Sequence, residues 1–163
     1  MAHVPAPARP GRGPRSAAGM ITYSTKSEAI DWVALKRALA ADAFDNGRSP
    51  AQMERSFRNS YACVYARDGK VVIGTGRAIS DGVCNAYIVD MWTQSAYRRR
   101  GVGQRIMKLL CAALTGQHVY LFTDDLEPFY ESCGFQVRGT GMERVVGQWL
   151  NGQVSKQSAG EQS

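Results

Sequence analysis

Apolar residues recur along this chain in two rhythms, and the switches between them predict its elements. Ile21 to Ser24 read as a short strand, after which Ser27 and Glu28 open a helical stretch with Ile30, Val33, Ala34 and Leu35 on one face. Asn46 and Gly47 break that stretch. Ser49 ahead of Pro50 then predicts a second helix to about Asn59, because the serine oxygen caps free N–H groups and proline tolerates a first turn. Met53 and Phe57 form its inward pair. Tyr61 to Ala66 and Lys70 to Ile79 are β-rich runs joined through Arg67, Asp68 and Gly69, the pattern of an antiparallel hairpin. After a turn at Ser80 to Val83, Ala86 to Thr93 is too continuously apolar for a half-exposed edge and belongs at the centre of a sheet.

Helical period returns from Val102 to Leu114, with Val102, Ile106, Leu109, Leu110 and Ala113 inward and Gln104, Arg105 and Lys108 outward. His118 to Thr123 reads as a strand, Leu126 to Ser132 as a short helix stopped by Gly134, and Phe135 to Val146 as a last strand interrupted by Gly139 and Gly141. The predicted order is βααβββαβαβ. It implies an α/β (α+β) domain: a mixed, mostly antiparallel sheet with helices on both faces.

Composition narrows the classes of function. A chain of 163 residues and 17.8 kDa, 44% of it hydrophobic, builds the core of one domain. Residues 1–19 hold four of the six prolines and three arginines, Arg9, Arg12 and Arg15, with no acid, and are expected to form a disordered basic tail ahead of a domain over 20–150. That tail lacks the apolar core of a secretory signal and the amphipathic period of a transit peptide. The end from Asn151 is polar and expected to fray. No apolar run suits a membrane span, so no membrane partner is expected. Cys63, Cys84, Cys111 and Cys133 form no CxxC pair; reduced thiols in the cytoplasm, with no metal, are the expectation. Of the formal +6, the tail carries half, and much of the rest is the cluster Arg98, Arg99 and Arg100. A local cluster suits a ligand with several phosphates, whereas duplex nucleic acid would want a broad basic face.

That cluster lies in YIVDMWTQSAYRRRGVGQRIM, where a buried strand runs into a glycine-bearing turn and straight into a helix. A helix start leaves N–H groups without partners and adds partial positive charge, which stabilises a phosphate placed there. Gly101 and Gly103 are expected to let the backbone approach such a phosphate, and the arginines to add charge-assisted contacts. Two other phosphate loops fail on inspection: Ile106 stands where a third Rossmann glycine is required, and no GK followed by Ser or Thr is present.

The pattern of Arg98, Gly101 and Gly103 resembles the acetyl-CoA signature of the GCN5-related N-acetyltransferase (GNAT) family. PFYESCGF, from Pro128 to Phe135, is similar to the family's second hallmark. The resemblance covers about Ile21 to Val146 and looks closest to small stand-alone members, including arylamine-type and plant serotonin-type enzymes. It implies a splayed sheet, with acetyl-CoA as co-substrate and transfer to a primary amine of a small molecule by direct attack in a ternary complex. A homodimer is one assembly it allows. Open alternatives are a protein or aminoacyl-tRNA acetyltransferase, which the basic balance would suit, and a non-catalytic acyl-CoA sensor.

Carried onto this chain, the resemblance implies that Met91, Trp92 and Thr93 offer backbone amides to the pantetheine arm and thioester, with Met91 or Trp92 at the oxyanion. It implies pyrophosphate contacts from Arg99, Arg100, Gly101, Val102, Gly103 and Gln104. Arg98 either reaches the phosphates or orients the turn. Ser95 stands where the family usually has proline. Tyr130 matches the tyrosine that protonates the departing thiolate; a phenol titrates near ~10 and a thiol near ~8.5. Asp90, which interrupts an apolar strand, is the first choice of base, with Asp124 and Asp125 as competitors; Asp125 also suits a helix cap. Phe44, Phe57, Tyr61, Tyr87 and Trp92 are candidates to line an acceptor pocket that no code converts into an amine.

Overall fold

In the computed structural model, which describes residues 20–151, five strands form one sheet in sequence order: β1 (Thr22–Ser24), β2 (Ala62–Asp68), β3 (Val71–Ser80), β4 (Asn85–Thr93) and β5 (His118–Tyr120). The first three pairings are antiparallel and β4 with β5 is parallel, so the sheet is mixed and mostly antiparallel, with β4 inside it. Residues 1–19 and those after 151, the two predicted tails, lie outside the described residues.

Helix α1 (Trp32–Ala41) starts later than the apolar pattern suggested, because Asp31 caps it by accepting from the Ala34 N–H at 2.9 Å. Val33 is consequently half exposed while Leu35 and Leu39 turn inward. Helix α2 (Pro50–Arg58) starts as expected: Ser49 and Gln52 exchange hydrogen bonds in a capping box, and Met53 and Phe57 are buried. These helices cover one sheet face, where Trp32, Phe57 and Tyr65 pack ring against ring around Val72 and Trp92.

The other face receives α3 (Val102–Ala113) and α4 (Glu127–Ser132) through Val64, Ile73, Ile88, Ile106, Met107, Leu110 and Tyr130. Gly74 and Gly76 of β3 make that approach possible. A Cβ on Gly76 would stand 2.5 Å from Met91 Sδ and 2.8 Å from Ile106 Cγ2, so α3 seats directly on the backbone.

One predicted element does not form. Phe135 to Val146 has no strand pairing in the structure, and Val137, Met142 and Val146 are largely exposed. Gly139 takes a left-handed φ of 60°, and β5 ends at Tyr120, short of the predicted Thr123, which leaves the segment little ladder to extend. The β-rich composition was read correctly, but a strand also needs a paired neighbour.

Gly76→Val is expected to lower the free energy of unfolding by about 1–3 kcal/mol through overpacking under α3. Urea denaturation followed by circular dichroism measures it; an unchanged midpoint would show that α3 does not sit against the β3 backbone.

Candidate active site

Strand β4 pairs with β5 only from Asn85 to Tyr87, against His118 to Tyr120, and runs on to Thr93 with no neighbour on that side. Its other side is irregular. Thr75 lies opposite Trp92 and Arg77 opposite Val89, so Asp90 and Met91 together face Gly76 in a β-bulge. Asp90 has φ of 53°, a left-handed conformation that Asp tolerates better than most residues. Downstream, the Gln94 N–H donates to the Ile73 carbonyl at 2.9 Å. Strand alternation therefore aims the Trp92 N–H at β3 and those of Met91 and Thr93 into the gap.

The gap opens onto the start of α3. Arg99 (φ 58°) and Gly101 (φ 78°) both turn left-handed, and the helix has no side-chain cap, which leaves the Val102, Gly103 and Gln104 amides at its N-terminus without helical partners. The two loop glycines differ in purpose. Gly101 supplies its φ and has open space where a Cβ would be, whereas a Cβ on Gly103 would lie 3.2 Å from Phe129 and 3.5 Å from Thr93 Oγ1. Gly103 thus also lets Phe129 pack closely on the helix start. The three arginines also separate. Arg98 donates from Nε to the Thr93 carbonyl and from Nη2 to Asp42, so it orients the turn. Arg99 and Arg100 project from the exposed loop, Arg100 over the Tyr97 ring at 5.3 Å.

Asp42, at the end of α1, gathers this region. Its carboxylate accepts from Trp92 Nε1 at 2.9 Å, from the Ser95 N–H and hydroxyl, and from Arg98. Ser95, which stands in the place of a family proline, thereby uses the N–H that proline lacks. Burial pushes the Asp42 carboxyl up, but the bonds from Ser95 and Trp92 and the Arg98 charge outweigh it and hold it below the usual range.

Phe129 presses on Gly103, and beside it Tyr130 is buried edge-on between Phe129 and Phe135, with ring centroids 5.0 and 6.2 Å away. Burial and the nearby Cys133 push the Tyr130 phenol up, so it stays protonated at neutral pH.

On the opposite face, Asp90 is clamped. Arg48 Nη2 donates to one carboxylate oxygen at 2.9 Å and Arg77 Nε to the other, while Thr75 Oγ1 donates to the Asp90 carbonyl. Arg48 is oriented by Asn46, and Arg77 by Ser60 and by stacking on Phe57. Tyr87 and Phe122, edge to face at 5.6 Å, stand beside this cluster. Gly141 is packed on the Phe122 ring and Trp149 donates to the Asn46 carbonyl, so the segment after α4 touches two sides of this face.

Comparison with known proteins agrees with this geometry. Residues 58–137 match the acetyltransferase (GNAT) domain. A stretch of 68 residues, 39% of this chain, is 34% identical to GCN5-related N-acetyltransferase 3, chloroplastic, of Arabidopsis thaliana, and it spans only 29% of that protein. Among solved structures, a GNAT-family acetyltransferase of Streptococcus pneumoniae has a TM-score of 0.66 and 25% identity over 79% of this chain and 100% of its own. An acetyltransferase of Clostridium acetobutylicum, solved with acetyl-CoA, has a TM-score of 0.59 and 20% identity over 77% of this chain and 96% of its own. Over residues 58–137 the chain carries a GNAT acetyltransferase domain.

The residues named from the sequence fall into two groups, one that the fold brings together and one that it scatters. Met91, Thr93 and residues 99–104 line one continuous gap and loop, and Tyr130 stands close by through Phe129. Asp124 and Asp125 lie exposed in a turn, where Thr123 Oγ1 and not Asp125 accepts from the Leu126 N–H. Of the aromatic candidates, Trp92 is core, Phe57 is core but carries Arg77 over its ring, Tyr61 lies against Gly82, Phe44 is exposed, and Tyr87 stands beside the Arg48, Arg77 and Asp90 cluster. Asp42, Arg48 and Arg77 were missed. Arg77 carried a signal, since it too interrupts an apolar strand; Asp42 meets its partners 50 or more residues away and carried none.

Asp42→Ala is expected to cost about 2–3 kcal/mol, because the Trp92 N–H and Arg98 lose their common partner. The folded-state value of Asp42 lies below its unfolded value near ~3.9, so its stabilisation is complete above that pH and is lost as pH falls through the folded value. Thermal melts below about pH 4 should show a shallower acid slope for Asp42→Asn than for the wild type; equal slopes would remove Asp42 from its hub.

Proposed function

We propose that the protein is an acetyl-CoA-dependent N-acetyltransferase that acetylates the primary amine of a small molecule by direct attack in a ternary complex. The observation that carries this reading is the parting of β4 from β5 beside the uncapped start of α3. The amides at residues 102–104 face where a pyrophosphate would lie, with Arg99 and Arg100 adding charge. The Met91 and Thr93 N–H groups then meet the pantetheine arm and the thioester carbonyl. As the neutral amine attacks the carbonyl carbon, negative charge gathers on that oxygen and Met91 N–H stabilises it; the C–S bond then breaks, the thiolate leaves, and the proton lost by the nitrogen passes through water to the sulfur.

Tyr130 would donate to the departing sulfur. A phenol raised above its ordinary ~10 lies above a thiol near ~8.5, so complete proton transfer is uphill. Its main contribution is a hydrogen bond to developing thiolate charge. Asp90, held at both oxygens by guanidinium groups, is the anchor that positions the bulge. Cys63, Cys84, Cys111 and Cys133 are all free, which supports a reducing, cytoplasmic setting, and burial pushes the Cys63 and Cys111 thiols up, away from the thiolate a nucleophile needs.

Calorimetry should register acetyl-CoA binding, and an amine panel should release free CoA thiol; no heat at millimolar nucleotide would end this reading. Tyr130→Phe is expected to lower kcat about tenfold to a hundredfold with little change in KM for acetyl-CoA, the scale of one hydrogen bond to a charged group. Because the phenol is raised, no alkaline loss of rate from its ionisation is expected below about pH 10.

A further inference from the structure

We propose that the acceptor carries, besides its amine, an anionic group, a carboxylate or a phosphate, gripped by Arg48 and Arg77. This deepens the reading above and rests on it. The cluster holds two guanidinium groups and one carboxylate, their side chains only 10–13% exposed. Asp45, whose charge also reaches Arg48, has its own cation in Lys36. Counted together, these five groups carry one positive charge in excess. A single arginine would suffice to neutralise Asp90, and a second one held away from water is costly unless an anion completes it.

Both guanidinium groups are also fixed in advance. Asn46 Oδ1 accepts from Arg48 Nε at 3.0 Å, and Ser60 Oγ accepts from Arg77 Nη1 at 3.2 Å. With Arg48 Nη2 and Arg77 Nε spent on Asp90, Arg48 Nη1 and Arg77 Nη2 have no partner among the described residues. Neither is sealed off: the fully buried side-chain polar atoms without a partner are Tyr65 Oη and Arg67 Nε. Two oriented donors thus keep a little contact with solvent, and the Tyr87 phenol lies close enough to feel the Arg77 and Asp90 charges, with Phe122 packed on its ring. The position is chemically apt as well. Asp90 directly precedes Met91, whose amide faces the cofactor gap, so an anion on the two arginines would hold a nearby amine within reach of the thioester.

The test uses matched amines with the purified full-length protein saturated with acetyl-CoA: an α-amino acid against its amide, and an amino-sugar phosphate against the unphosphorylated amino sugar. The anionic member of at least one pair should show about tenfold to a hundredfold higher kcat/KM, the scale of one charged hydrogen bond, and which pair responds tells carboxylate from phosphate. Arg48→Gln should remove the preference by raising KM, and Arg48→Lys should restore part of it. Thermal shift with CoA present reads the same binding without turnover. Thiol release that ignores the anionic group in both pairs, together with no selective thermal shift, would overturn the inference while leaving the acetyltransferase reading intact. Absence of acetyl-CoA binding would instead strike that earlier reading. Should Arg48→Gln fail to fold, the matched pairs on the wild type still decide.

Discussion

A strand in the middle of a sheet normally has every N–H and C=O paired, and an unpaired one away from water costs free energy. Strand β4 breaks that rule on its β5 side from Ile88 onward. The surrounding structure can be understood as what makes the break tolerable. On the β3 side the ladder is kept, with an extra residue absorbed at Asp90 and Met91. The left-handed turn this needs falls on an aspartate, and its side chain and carbonyl are tied by Arg48, Arg77 and Thr75. At the far end of the strand, Asp42 ties Trp92, Ser95 and Arg98 together, so the strand enters the loop at a fixed angle. Two anchored ends hold an open middle.

The same constraint explains which parts of the molecule could be seen in the sequence. The helix beginning at Pro50, the hairpin of β2 and β3, and the apolar run of β4 depend on local rules, a cap, a turn and a burial pattern, and they were found within a residue or two. The start of α1 was placed too early because Ser27 and Asp31 are both credible caps, and only the packing of Ile30 and Leu35 decides between them. The strand expected over Phe135 to Val146 failed for a different reason: strand formation is a property of a pair, and the segment has no edge beside it. Asp90 shows the deepest limit. Its position in an apolar strand correctly marked it as exceptional, yet the exception has two sources, chemistry or backbone geometry, and a one-residue bulge cannot be seen without the register of its partner.

Gly101 and Gly103 carry a similar lesson at smaller scale. Both fit one motif, but the first is required by φ and the second by the ring of Phe129. The second requirement couples the loop to α4, and so to Tyr130. A motif of three residues therefore encodes more than a loop conformation: its last glycine lets Phe129 of α4, and with it the neighbouring Tyr130, pack close to the helix start and Thr93. Hence the two sequence hallmarks, separated by more than 20 residues, are one packed unit.

This division also accounts for why the family could be recognised and the amine could not. The groups proposed to meet the cofactor are main-chain groups whose positions follow from φ, helix start and strand alternation, and those leave short, local traces such as RRRGVG. The groups proposed to meet the acceptor are side chains from the loop before α2, from β3, from β4 and from the segment after β5, brought together only by the fold. No local pattern links Arg48 to Arg77 or Tyr87 to Phe122. What survives in the sequence is the anomaly of a charge within an apolar run, at Arg77 and again at Asp90, on strands that a turn at Ser80 to Val83 makes antiparallel neighbours. Two such anomalies, opposite in sign and on strands joined by a turn, are better read first as partners; what one of them does for the reaction then depends on the charge left over when they have met.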